Sequence, residues 1–255
     1  MTDSADNTLG SEVRRAYHQE LEELDANVLR LGAMVCEMVP KGTEVLLDGD
    51  LQRARELIES DDAIDQLALE IEDACYSIIA RQAPKASELR HVVTVNKLVA
   101  ELERSADLMI NVCKATRRMY GSAMSPRIRG VVAAMSKDAN RILRLSLDAF
   151  ADADVALASA LDDVDDGLDQ LNRDMVAAIF SAHADEEIDL AAAVQLALIA
   201  RYYERIGDHA VNIGERVTYM VTGWLPEHNG ALRQNHREQT IIDPEAVVLP
   251  PEEQG

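Results

Sequence analysis

The sequence predicts an all-α protein built as two tandem, pseudo-symmetric three-helix bundles. Three observations lead there. Apolar residues recur at spacings of three and four along almost the whole chain, the mark of helices with one buried face. No stretch alternates apolar and polar residues with period two, so no strand is expected. The pattern of the first half also returns in the second, down to a shared run of charged residues.

The first expected helix starts near residue 13 and carries Tyr17, Leu21, Leu24, Val28, Leu31, Val35 and Met38 on one face. Pro40 cannot donate a backbone hydrogen bond and is expected to kink or end it. The second helix carries Leu57, Ile64, Leu67, Ile71, Ala74 and Ile78. APKAS (83–87) breaks the pattern, and Ser87 is the expected N-cap of the third helix. That helix runs through Val92, Val95, Val99, Leu102, Ala106, Met109 and Cys113 and ends at Gly121. The first repeat thus spans 13–121.

The second repeat spans 125–223. Ser125 caps a helix with Pro126 in its first turn, where a missing N–H costs nothing. Ile128, Val132, Met135, Ile142 and Leu145 follow, then a fifth helix with Leu157, Leu161, Val164, Leu168, Leu171 and Met175. Asp185, Glu186 and Glu187 suit the positive start of a sixth. It is expected to run to about Met220 and stop at Gly223. Residues 1–12 and 224–255 lack the period and are expected to be mostly disordered. In the latter, Trp224 and IIDPEAVVL offer local docking points.

Composition narrows the function. Aromatics make up 4% of the 255 residues, and Ala, Leu, Val and Met fill the apolar positions, which favours helix. The net charge of −21 argues against nucleic acid or an anionic lipid surface as partner and favours cations or a basic protein surface. Cys36, Cys75 and Cys113 form no CxxC and read as reduced, buried packing residues. The polar, acidic start MTDSADNTLG is unlike a signal peptide, and LAAAVQLALIA is too short to span a bilayer. A cytoplasmic protein is the expectation.

The chemistry sits in YYERIGDHAVNIGERV (202–217). Glu204, Asp208 and Asn212 are four apart, slightly more than one helical turn, so they lie along one side of the helix. Carboxylates at that spacing repel each other and weaken a helix. The same arrangement stands at Glu103, Asp107 and Asn111, with Arg104 matching Arg205, at one offset of 101 residues. Upstream, DDAIDQL (61–67) echoes DDGLDQL (165–171). Acidic pairs arise often by chance in so acidic a chain; the same pattern at the same place in both halves does not. The acids border the apolar stripe, and partly buried carboxylates need cations or donors. All-oxygen clusters suit hard or intermediate divalent metals. One helix supplies too few oxygens, so Asp61, Asp62 and Asp65 on one neighbour, and Asp165, Asp166 and Asp169 on the other, are candidate contributors. The candidate metal residues are Glu103, Asp107, Glu204, Asp208, Asp65 and Asp169, for iron, manganese, zinc or magnesium. A solvated or arginine-paired acidic face is the alternative.

His209 points about 100° away from Asp208 and reads as a surface or hydrogen-bonded histidine. The two asparagines suit interhelical hydrogen bonds better than ligation. Glu88 and His91 match the E-x-x-H of di-iron bundles, but that motif should occur on two helices and occurs here once. No nucleophile with a base and no glycine-rich phosphate loop is visible, so catalysis has little support.

On these residues the chain resembles the PhoU family over roughly 13–223. YYERIGDHAVNIGERV is similar to the family's E-R-[IM]-G-D-x-x-x-N-I signature, and ESDDAIDQLALEIEDACYSII to its second-helix pattern. The first copy departs, with Ser105 and Ala106 where Ile-Gly is usual. The resemblance implies two three-helix bundles, a homodimer, and in some members metal clusters on the E(D)-x-x-x-D motifs. It further implies a cytoplasmic negative regulator of phosphate uptake and signalling. The implied partners are the ATPase subunit of a phosphate ABC transporter and a phosphate-sensing histidine kinase. Alternatives are a di-iron or di-manganese carboxylate oxidase and a metal buffer.

Overall fold

The computed structural model describes the backbone of residues 3–224, with side chains from Arg14 onward. The apolar run 241–249 and the rest of the expected tail after Trp224 lie outside the described residues. Seven helices and no strand occur among them: α1 (Asp3–Asp48), α2 (Leu51–Glu59), α3 (Asp61–Gln82), α4 (Ser87–Arg118), α5 (Pro126–Ala151), α6 (Val155–Ala184) and α7 (Leu190–Thr222). The short α2 is the only one beyond the six expected. α1, α3 and α4 form the first repeat; α5, α6 and α7 form the second.

The ends of the helices follow local chemistry, with five departures from expectation. Pro40 does not end α1, which continues to Asp48. Val35 and Val39 before the proline, and Val45 and Leu46 after it, are buried. That packing outweighs the penalty of a proline inside a helix, about 3 kcal/mol for the missing hydrogen bond and the ring clash together. α1 also begins upstream of residue 13, since extending an existing helix adds one bond per residue fixed. The expected second helix is broken at Ser60. Asp50 caps α2 by accepting from Gln52 and Arg53 amides, and α3 starts at Asp61. The acidic turn 185–187 does not open α7. Asp185 closes α6, and Asp189 caps α7 through the Ala192 amide at 2.7 Å. The Ser125–Pro126 start and the Gly223 stop stand as expected, the glycine adopting φ +76 to end α7. Ser87 opens α4 without capping it; the N-cap position is Ala86.

The two repeats share one continuous apolar core. α6 packs on α7 and α3 on α4 as antiparallel hairpins, while α4 lies against α7 and α1 against α5. Three polar side chains knit the buried centre. Thr43 of α1 meets Ser136 of α5 at 2.7 Å and the Tyr203 hydroxyl of α7 at 2.6 Å. Thr43 also donates to Val39 O, so none of the three hydroxyls is stranded away from water. Cys36, Cys75 and Cys113 are buried free thiols, pushed by desolvation up to about 11, 12 and 11 respectively. They are packing residues, too protonated to serve as nucleophiles or soft metal ligands.

Candidate functional site

Each hairpin gathers carboxylates from both of its helices along its seam. On α3–α4 the group is Asp61 and Asp65 with Glu103 and Asp107; on α6–α7 it is Asp165 and Asp169 with Glu204 and Asp208. These are matched positions: Asp61 and Asp165 open the echoed DD-x-x-D runs, and Asp65 and Asp169 follow one turn later. All six residues expected as metal candidates therefore belong to one of two equivalent clusters. The register between helices, unreadable from sequence, selects Asp61 and Asp165 as the most strongly perturbed members and leaves Asp166 exposed.

The electrostatics are those of crowded like charges: all four acids of the second cluster are half-buried, whereas in the first Asp61 and Glu103 are half-buried and Asp65 and Asp107 are exposed. Burial, then the charges of Asp208, Asp169, Glu204 and Asp162, push Asp165 up to about 7. Asp61 rises to about 6 through burial and through Asp65, Asp107 and Asp62, with Lys114 pulling it back. The position matching Lys114 in the second repeat is Glu215, so no cation moderates that cluster from the equivalent place. Burial and neighbouring acids also raise Glu103 and Glu204, the latter despite an ion pair with Arg201. Glu204 also accepts from Asn172 of α6 at 3.4 Å.

Gly207, in the signature's G-D step, explains how close α6 comes. A Cβ there would meet Asp165 Oδ1 and would stand 2.8 Å from Leu168 Cδ1. The absent side chain lets the Asp165 carboxylate lie against the backbone of α7, where Oδ1 is buried with no hydrogen-bond partner. The first repeat has Ala106 instead. The donor type of both clusters, carboxylate oxygen only, fits a hard divalent cation. No three His, Cys, Asp or Glu side chains among the described residues converge closely enough to enclose an ion as they stand.

Asn212 does not join Glu204 and Asp208. Steps of four residues rotate 40° each, so by Asn212 the side chain has turned through 80° toward α4. There Asn212 donates to Glu101 Oε2 at 3.2 Å, and His209 Nδ1 lies 2.6 Å from the same oxygen. Burial alone would raise Glu101. The bonds from His209 and Asn212 and the charges of His209 and Arg104 reverse this and hold it below the usual glutamate range. Of the two expectations for His209, surface or hydrogen-bonded, the structure shows a buried, hydrogen-bonded histidine that joins the two repeats. Glu101 carried no sequence signal: its matched residue is Tyr202 and that of His209 is Leu108, so the joint has no counterpart in the other half. Glu88 and His91 are also taken up by packing partners. Glu88 lies 3.4 Å from the Tyr17 hydroxyl, and His91 lies 2.7 Å from Asp25.

A sequence profile described as the PhoU domain matches residues 28–116 and again 132–217. The chain belongs to the PhoU family. It is 30% identical over 215 residues to the phosphate-specific transport system accessory protein PhoU homolog 1 of Mycobacterium tuberculosis, covering 84% of this chain and 96% of the relative. The corresponding homolog of Pseudomonas putida is 28% identical over 247 residues, 96% of each chain. The crystal structure of PhoU from Pseudomonas aeruginosa superposes with a TM-score of 0.76 at 30% identity, covering 82% of this chain and all of that one. That of the phosphate transport system regulatory protein PhoU from Streptococcus pneumoniae gives 0.76 at 28% identity, covering 82% and 98%. No helix among the described residues is long and apolar enough to cross a membrane.

Proposed function

We propose that this PhoU-family chain is a non-enzymatic, cytoplasmic accessory protein of a phosphate transport system. It would hold down phosphate uptake and phosphate-starvation signalling. It acts by surface contact with the ATPase subunit of a phosphate ABC transporter and with a phosphate-sensing histidine kinase, as a homodimer. The carrying observation is the double PhoU-domain match together with relatives named as phosphate transport accessory proteins. The all-helical surface, with its two carboxylate seams and no nucleophile–base pair recognised in the sequence, supports binding over catalysis.

The seams are proposed as cation sites. Asp61, Asp65, Glu103 and Asp107 would hold one divalent ion and Asp165, Asp169, Glu204 and Asp208 the other, after side-chain rotation. Iron, manganese, zinc or magnesium bound there would neutralise the mutual repulsion that raises these groups and would stiffen each hairpin.

Deletion of the gene is expected to derepress phosphate-starvation genes in phosphate-rich medium, and purified protein is expected to capture the transporter ATPase or the kinase in pull-downs. Unchanged gene expression together with no capture at low and high phosphate would end the regulatory reading. For the cation sites, elemental analysis of anaerobically purified protein beside Glu204→Ala and Asp208→Ala is decisive. Equal metal content in all three would remove the second site.

A further inference from the structure

The α6–α7 hairpin ends in an exposed apolar patch beside its acidic seam. Val176 and Phe180 stand about one turn apart on α6, and Leu190, Val194 and Leu198 mark successive turns of α7. All five are exposed, Phe180 by 71% and Leu190 by 67%. Asn172 meets Glu204, and His183 Nδ1 lies 3.0 Å from Ile188 O, which sets the register of the antiparallel pair. Phe180 therefore falls level with about Val194, and Val176 with about Leu198. Helical phase places them on one side. Val176 follows Asp169 by about two turns, and Leu190 precedes Asp208 by about five.

The first repeat is an internal control for this surface. At the matched positions it carries Glu72, Tyr76, Leu89, Val93 and Lys97, so two of five are charged. Its three apolar members are less exposed, Tyr76 by 56% and Leu89 by 38%. Single exposed apolar residues need no explanation, but five grouped at one hairpin end mark an interaction surface. The charges around it choose the occupant. Asp185, Glu186, Glu187 and Asp189 are all exposed on the turn that closes the hairpin. Of the nearby cations, Arg201 is paired with Glu204, while Arg173 and Arg118 bond to neutral Gln170 and Gln195 and keep their charge; the four carboxylates of the turn outnumber these two. A second copy of the chain docking by this face would present the same acidic turn and no added basic surface, so it offers these four carboxylates no charge complement. An anionic membrane would be repelled by them.

We propose that this patch is the docking site for a basic amphipathic helix of another protein. Its apolar face would cover Phe180, Leu190 and Val194, and its Lys and Arg residues would meet the acidic turn. The inference deepens the surface-binding reading by naming the surface, yet its test needs neither phosphate nor a transporter. Fluorescence anisotropy would compare three labelled 18-residue synthetic peptides at 0.15 M salt: an amphipathic Leu/Lys helix, its scrambled isomer, and an amphipathic Leu/Glu helix. The Leu/Lys helix is expected to bind at least tenfold tighter than either control. Phe180→Asp with Val194→Asp should weaken it tenfold or more; Tyr76→Asp with Val93→Asp should change it less than twofold. Both pairs are exposed, and matching circular dichroism melts would confirm folding. Glu186→Lys with Glu187→Lys should weaken binding several-fold and flatten its salt dependence. Equal binding of amphipathic and scrambled peptides would overturn the proposal, as would equal loss in both double variants. So would conversion of a dimer to a monomer by Phe180→Asp, which would make a second copy the occupant.

Discussion

Replacing Glu101 with alanine is expected to destabilise the fold by about 3 kcal/mol, because it breaks the polar joint between the repeats. The magnitude follows from what is left behind. Glu101 Oε2 receives His209 Nδ1 at 2.6 Å and Asn212 at 3.2 Å. The His209 side chain is 8% exposed, and its Nε2 already lacks a partner, so losing Glu101 strands both ring nitrogens. A buried donor left unpaired costs about 1–3 kcal/mol; the upper part of that range suits His209 and the lower part suits half-buried Asn212. In a chain above 200 residues each kcal/mol moves the midpoint by about 2–4 °C, so a drop of about 6–12 °C is expected at pH 7. The sign of the pH dependence follows from Glu101 being held below its ordinary value of 4.5. Its stabilisation is present above that value and is lost as pH falls through the lower, folded value. The gap between parent and variant should therefore be full at neutral pH and shrink in acid. Differential scanning calorimetry at pH 7 and in acid reads both, and a double-mutant cycle with His209→Ala isolates the pair. A Glu101→Ala midpoint within about 2 °C of the parent at pH 7, or a gap that widens in acid, would refute the reasoning.

Asp165→Asn should remove a pH dependence rather than add one. Asp165 is raised from 3.8 to about 7, so its ionised form is penalised in the folded protein, and stability falls as pH rises between those values. In chelator, urea midpoints of the variant should stay flatter than the parent across that window; parallel curves would contradict it. Gly207→Val should cost roughly 2–3 kcal/mol, since its side chain would enter the space of Asp165 and Leu168. Gly167→Ala should instead stabilise by about 1 kcal/mol: a Cβ there meets only Asp138 Oδ2, at 3.8 Å, and the change favours helix. Both are read from thermal melts. Tyr203→Phe should cost about 1 kcal/mol by removing one arm of the Thr43 network, with Ser136 and Val39 still satisfying Thr43.

The helical class, the duplication and the acidic motifs were legible in the sequence because each is local or repetitive. A 3.6-residue period places Leu102, Ala106 and Met109 on a buried face without knowledge of any partner, and a constant offset of 101 residues exposes the repeat. Ser125–Pro126 and Gly223 mark helix ends because caps act within one turn. What needed the tertiary structure depends on contacts between distant segments. Pro40 sits inside α1 because buried valines on both sides hold the helix together, which no local propensity records. The acidic turn 185–187 closes one helix rather than opening the next, since hairpin geometry makes Asp189 the cap. The choice of Asp61 and Asp165 as the most perturbed acids, and the bond from Asn212 to Glu101, were set by interhelical register. Register is the sum of many weak packing contacts, and the composition of one helix carries no trace of the residue that will face it.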